Sequence, residues 1–200
     1  MEQIQEKFNF PITMGDMRYN NAYSFFINSM LVIYDYRPSF LIQQVDFSNN
    51  EDYSKILVEC LSITPTFLRN PSEFSNEEEY ERYINNNSLV CVEHQQGLLI
   101  TKSKFLDDKF FKLLLLNSVE DDDIFGNILG YPCAGDTPSL EDSMNGNRIS
   151  VHITMRHNQN QEIFSNICFV RNIQKIIQKF NEMNTFVSRL NPEFELQINY

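Results

Sequence analysis

Seven apolar residues, Ile173, Ile176, Ile177, Phe180, Met183, Val187 and Leu190, recur at mostly three- and four-residue steps near the end of this chain. On a helix they form one apolar stripe over about five turns. A stripe of that length has to be covered. It can dock a partner helix, but the commoner solution is the core of its own domain, which requires a second layer to receive it.

Strands are expected to supply that layer. Ile149, Val151, Ile153 and Met155 alternate with Arg148, Ser150, His152, Thr154 and Arg156, the period of a half-buried strand. After the turn Asn158-Gln159-Asn160, the segment Glu162–Val170 returns with Ile163, Ile167 and Phe169 at alternate positions. Pairing Arg156 with Glu162 gathers these apolar residues on one face and makes an opposite-charge cross-strand pair. The same register sets Ser150 opposite Cys168 and His152 opposite Asn166 on the other face. A second hairpin joins Leu89–His94 to Leu98–Lys102 through Gln95-Gln96-Gly97.

Helix starts are marked by side chains that bond the first free amides. Ser75 with Glu78 forms a capping box, and Glu77, Glu78 and Glu79 suit the positive end of a helix running to about Ile84. Ser118 with Asp121 repeats the device, and Gly130 followed by Pro132 closes that helix. Ser48 with Glu51 begins another, Glu51–Ser62, which stops before Pro65. Phe110–Leu116 reads as a more deeply buried helix. The segment Tyr23–Phe47 has two readings: a pair of strands turning at Tyr36-Arg37-Pro38-Ser39, or a helix carrying Tyr23, Phe26, Ile27, Met30 and Tyr34. The expected fold is α+β: a single globular domain over residues 1–200, with an antiparallel sheet of hairpins and helices packed mainly on one face. Its one loose segment is 135–147, which holds Pro138, Gly146, Glu141 and Asp142.

Composition narrows the function. The chain is 42% hydrophobic and 13% aromatic, enough to build a core at 200 residues. Its net charge of -11, without any Lys/Arg cluster, argues against direct nucleic-acid binding and against an anionic membrane surface. Cys60, Cys91, Cys133 and Cys168 lie about thirty to forty residues apart without a CxxC pair, so metal-ribbon and thioredoxin spacings are absent. The N-terminal Met1-Glu-Gln-Ile-Gln-Glu-Lys lacks the basic-then-apolar pattern of a signal peptide, and the apolar runs near Met30–Ile33 and Leu113–Leu116 are too short to span a bilayer. A cytoplasmic, reducing compartment with free thiols is expected. Twenty-three Asn against two Ala suggest an AT-rich genome, such as that of a protist, a low-GC bacterium or a large DNA virus.

Candidate chemistry centres on Cys133, set among small turn-forming residues in Gly-Tyr-Pro-Cys-Ala-Gly-Asp. A thiolate nucleophile needs a histidine to hold the proton and a third group to orient it. His152 and Asp136 are the candidates, with Asn166 or Asp142 as other orienting groups. Against this, Cys133 follows a helix end, where no helix dipole lowers a thiol pKa. A zinc site from His94, His152, His157 and Cys168 would require the two hairpins to adjoin, and zinc favours close ligand pairs. Asp121, Asp122 and Asp123 project about 100° apart on a helix and cannot share an ion unaided. No metal or cofactor is expected. The leading expectation is therefore a non-enzymatic acidic protein acting through a protein partner or as a homo-oligomer, its charge favouring basic partners. Behind it stand a cysteine-dependent hydrolase or transferase using Cys133 with His152, and then an acidic mimic of nucleic acid.

Overall fold

The computed structural model describes residues 22–43, 71–94, 97–117, 122–132, 146–156, 158–190 and 192–200. The chain is α+β, and among these residues it has six α-helices and two three-stranded antiparallel sheets. It divides into two compact units, residues 1–116 and 117–200. The expected helix at 51–62 and nearly all of the loop at 135–147 fall outside the described residues.

In the first unit the ambiguous segment takes each reading in turn: helix α1 (Ala22–Ile33), then strand β1 (Ser39–Gln43). The helix stops because Asp35 enters the left-handed region at φ 62°. Asp35 N–H then donates to the Val32 carbonyl at 3.1 Å and Tyr36 N–H to the Leu31 carbonyl at 2.8 Å. Pro38 follows and cannot rejoin a helix. Strands β2 (Leu89–His94) and β3 (Gly97–Lys102) form the expected hairpin, with His94 opposite Gly97 and Leu89 opposite Lys102. Gly97 opens β3 at φ 145°, a conformation that L side chains rarely adopt. Strand β3 lies between β1 and β2, and every one of its six residues is buried.

Helix α2 (Glu77–Asn87) begins one residue later than expected, because Asn76 rather than Ser75 is the cap. Asn76 Oδ1 accepts from Glu79 N–H at 2.8 Å, and Glu79 Oε2 accepts from Ser75 N–H at 3.0 Å. It also runs past Ile84, ending where Ser88 N–H donates to the Ile84 carbonyl. A short α3 (Ser103–Asp107) leads into α4 (Lys109–Asn117). Helix α4 corrects the expectation of deep burial: only Phe111 is buried along it.

The second unit starts with α5 (Asp122–Leu129), closed as the sequence predicts. Gly130, at φ 75°, donates to the Asn127 carbonyl at 3.0 Å, and Tyr131 N–H to the Gly126 carbonyl at 2.9 Å. Strands β4 (Arg148–Met155), β5 (Asn158–Phe169) and β6 (Leu196–Asn199) follow, in the order β5-β4-β6. Helix α6 (Ile173–Leu190) connects β5 to β6 and carries the apolar stripe, with Ile176, Met183 and Val187 buried. Strand β6 has no sequence signal beyond four residues after a proline. Asn184 on α6 anchors it by accepting from Leu196 N–H at 2.8 Å.

The β4–β5 register corrects the sequence reading by one residue. Ile149 pairs with Cys168, Ser150 with Ile167, Val151 with Asn166 and His152 with Ser165. The register shifts around Thr154, where Glu162 is its partner, and again at Met155, which pairs with Asn158. These irregularities put extra residues on β5 that a regular ladder counted from a turn at 158–160 does not allow for. Arg156 consequently pairs with Glu195, Nη1 to Oε1 at 2.6 Å, and not with Glu162. A one-residue slip exchanges the faces. Cys168 therefore packs with Val151 and Ile176 in the core, while Ile167 is 64% exposed.

Two substitutions test this register by urea denaturation. Ile167→Thr is expected to cost less than about 0.5 kcal/mol, as at an exposed site. Cys168→Ser buries a hydroxyl and is expected to cost about 1–3 kcal/mol. The register read from sequence requires Ile167 to be the costly one.

Candidate functional site

Cys133 and Asp136 lie outside the described residues, as do His157 and Asp142. His152 is half-buried on β4, opposite Ser165 on one side and Asn199 of β6 on the other. Its Nε2 lies 2.8 Å from Ser150 Oγ, a hydrogen bond along the strand. Asn166, considered as an orienting group, stands opposite Val151, one place away from His152 on the ladder. Cys168 belongs to the core, so it shares no ligand set with His152. Among the described residues no three His, Cys, Asp or Glu side chains are grouped to hold a metal ion.

A charged cluster that sequence reasoning missed sits where α1 ends beside β3. Lys102 is the last residue of β3 and only 1% of its side chain is exposed. Its Nζ lies 2.9 Å from Asp35 Oδ2 and donates to Asn87 Oδ1 at 3.2 Å. Lys104 Nζ takes the other carboxylate oxygen, Asp35 Oδ1, at 3.0 Å. Burial pushes the Asp35 carboxyl up, but the hydrogen bonds and charges of the two lysines outweigh it and hold the group below its ordinary value. For Lys102 burial is the largest influence, and it pulls the ammonium below its ordinary value despite Asp35. With both carboxylate oxygens engaged, Asp35 is a clasp between helix and sheet and not a general acid or base. A lysine closing the apolar run Leu98-Leu99-Ile100-Thr101 was the available signal, and the partner 67 positions earlier was not.

The second feature is α4. Phe110, Leu113 and Leu116 are 68%, 56% and 76% exposed. Steps of three residues set them along one face of the helix. Exposed Lys109 and Lys112 lie on the same helix. The opposite side holds the helix down. Phe111 stacks on Phe105 at 5.3 Å between centroids, and Asp108 Oδ1 accepts from Phe111 N–H at 2.8 Å. Scattered single hydrophobes are normal on a surface, but three on one helical face form an exposed patch among the described residues.

The clasp yields a prediction with a defined sign. Because the folded Asp35 pKa is lowered, its contribution is fully present above the ordinary carboxylate range and fades as pH falls through the lowered folded value. The lowered Lys102 pKa acts the other way: its cost is present below that folded value and disappears as pH rises toward the unfolded one. Asp35→Asn leaves Lys102 buried without an anion and is expected to cost about 1–3 kcal/mol, discounted because Asp35 is half in water. Adding Lys102→Met is expected to recover part of that loss in urea melts. Equal stability of Asp35→Asn and the native chain, or a further loss in the double variant, contradicts the clasp.

The chain matches no protein family, and no curated protein or solved structure is significantly similar to it.

Proposed function

We propose that this protein acts through protein–protein contact, laying the exposed face of α4 into an apolar groove of a partner whose rim carries carboxylates. The observation that supports this is the row Phe110, Leu113 and Leu116, exposed on a helix whose other side is anchored. Apolar anchors spaced along one helical face are what a groove-binding helix presents. An aromatic among them is the residue type that dominates such contacts. The charge of the partner follows from the lysines. The charged residues of α4 itself are the exposed Lys109 and Lys112, with Asp107 and Asp108 just before its first turn. Acidic groups at the groove rim complement them, whereas the acidic character of the whole chain pointed to basic partners.

A photo-crosslinking amino acid at position 113 of the full chain tests the proposal. The expected adduct maps by mass spectrometry to a groove peptide containing apolar residues with Asp or Glu beside them. Leu113→Glu is expected to weaken binding to that partner about thirtyfold while changing folding stability by less than about 0.5 kcal/mol. Lys109→Glu with Lys112→Glu is expected to weaken it further. Crosslinking only to lipid in vesicles, or unchanged binding in the charge-reversed variant, overturns the reading.

A further inference from the structure

The outer face of β4 carries a hydroxyl nucleophile already joined to a base. Arg148, Ser150 and His152 occupy alternate positions of the strand, so they share one face in that order. Ser150 is exposed and His152 half-buried. The contact between them joins Ser150 Oγ to the imidazole Nε2 at 2.8 Å. That lies inside the range, about 2.6–3.2 Å, over which a base takes the proton of a serine nucleophile. Strand β4 is the central strand of its sheet, and His152 stands on both of its ladders, opposite Ser165 and Asn199. The base is thus mounted on backbone held from both sides, and a two-residue step along the same strand brings the nucleophile to it. Beyond His152 the face is packed: Thr154 is buried, and its Oγ1 accepts from Asn199 Nδ2 at 3.1 Å and Gln197 Nε2 at 3.3 Å. Opposite Ser150 on β5 stands Ile167, 64% exposed, so apolar surface adjoins the hydroxyl.

We propose that Ser150 and His152 form a catalytic dyad for acyl transfer from an activated carboxylic ester, whose apolar acyl chain rests on Ile167 and whose carbonyl oxygen meets Arg148. The site is independent of the α4 contact and lies in the other unit. With the imidazole proton on Nδ1, Nε2 takes the proton of Ser150 Oγ as that oxygen bonds the carbonyl carbon. The imidazolium gives this proton to the departing alkoxide as the ester C–O bond breaks, leaving the acyl group on Ser150. Water then attacks the acyl carbon, His152 taking its proton and passing it to Ser150 Oγ as the carboxylic acid leaves. Ester and water have become acid and alcohol. Arg148 lies about 7 Å along the strand, on the side of Ser150 away from His152, and supplies a cation where the oxyanion develops. Its guanidinium rests against the Phe169 ring, Cζ 5.1 Å from the centroid, a weak contact at an exposed residue that gives way to a stronger one with an anion. General-base catalysis contributes roughly 10²–10⁴-fold, which suits an ester with a good leaving group and not an amide.

Mixing the full chain with p-nitrophenyl acetate tests this, with nitrophenolate followed by absorbance and the acid-quenched protein mapped by mass spectrometry. A burst of nitrophenolate and an acetyl group on Ser150 are expected. Ser150→Ala is expected to abolish both and, because the hydroxyl is exposed, to melt like the native chain. His152→Gln is expected to slow acylation about a hundredfold and to remove the rise in rate with pH that deprotonation of the imidazole gives. Arg148→Gln is expected to slow it about tenfold. Ile167→Ser is expected to lower the rate with p-nitrophenyl butyrate more than with the acetate. A rate no greater than that of free imidazole at the same concentration overturns the site, as does a burst that survives in Ser150→Ala. Acetyl groups confined to lysines, or carried by Cys133, overturn the assignment of the nucleophile.

Discussion

The second unit rests on one contact, the packing of Val151 on β4, Cys168 on β5 and Ile176 on α6. All three are buried to within a few percent, so this is where the apolar stripe of α6 meets the strands it was predicted to need. Strand side chains alternate with period two, and seating Cys168 inward commits the whole β5 register. Ile167 is thereby turned out to water, Arg148 is brought opposite Phe169, and Ser150 and His152 share the open face. The polar outer face is thus a consequence of inner-face packing. Burying Cys168 instead of Ile167 forgoes some apolar area. The register shifts around Thr154 and the pairing of β6 with β4 fix the ladder in that position all the same.

The first unit has a comparable constraint of opposite character. A strand buried along its whole length, β3, ends in a lysine that is also buried. An unpaired ammonium there would be prohibitive, so the surroundings must bring an anion to it. Asp35 supplies it, from a left-handed position that glycine normally fills and that costs a non-glycine residue roughly 1–2 kcal/mol. Because the lysine would otherwise be uncompensated, the clasp outweighs that strain. Holding the end of α1 against the sheet is its structural result.

Periodic signals were legible in the sequence and long-range ones were not. The seven apolar positions of α6 placed that helix to within its observed ends, and Gly97 and Gly130 marked a hairpin and a helix end correctly. The α2 cap was displaced by one residue because Ser75 and Asn76 are equivalent as caps, and only Glu79 reaching back to Ser75 N–H decides between them. The β4–β5 register was missed for a similar reason. Alternation identifies both strands, but irregular pairing near the turn is invisible to it. In Tyr23–Phe47 two correct halves looked like competing wholes. The run from Phe110 to Leu116 looked buried because hydrophobicity says nothing of what is available to cover it, and Phe110, Leu113 and Leu116 face water. Of the thiol constellation His152 and Asn166 fall among the described residues: His152 Nε2 bonds Ser150 Oγ, and Asn166 stands opposite Val151.

The most direct measurement is the set of cross-strand NOEs between β4 and β5 in the isotope-labelled full chain. Backbone contacts linking Ile149 with Cys168 and His152 with Ser165 are expected. Contacts linking Ile149 with Phe169 and His152 with Asn166 would instead contradict the inner packing, and with it the assignment of the outer face.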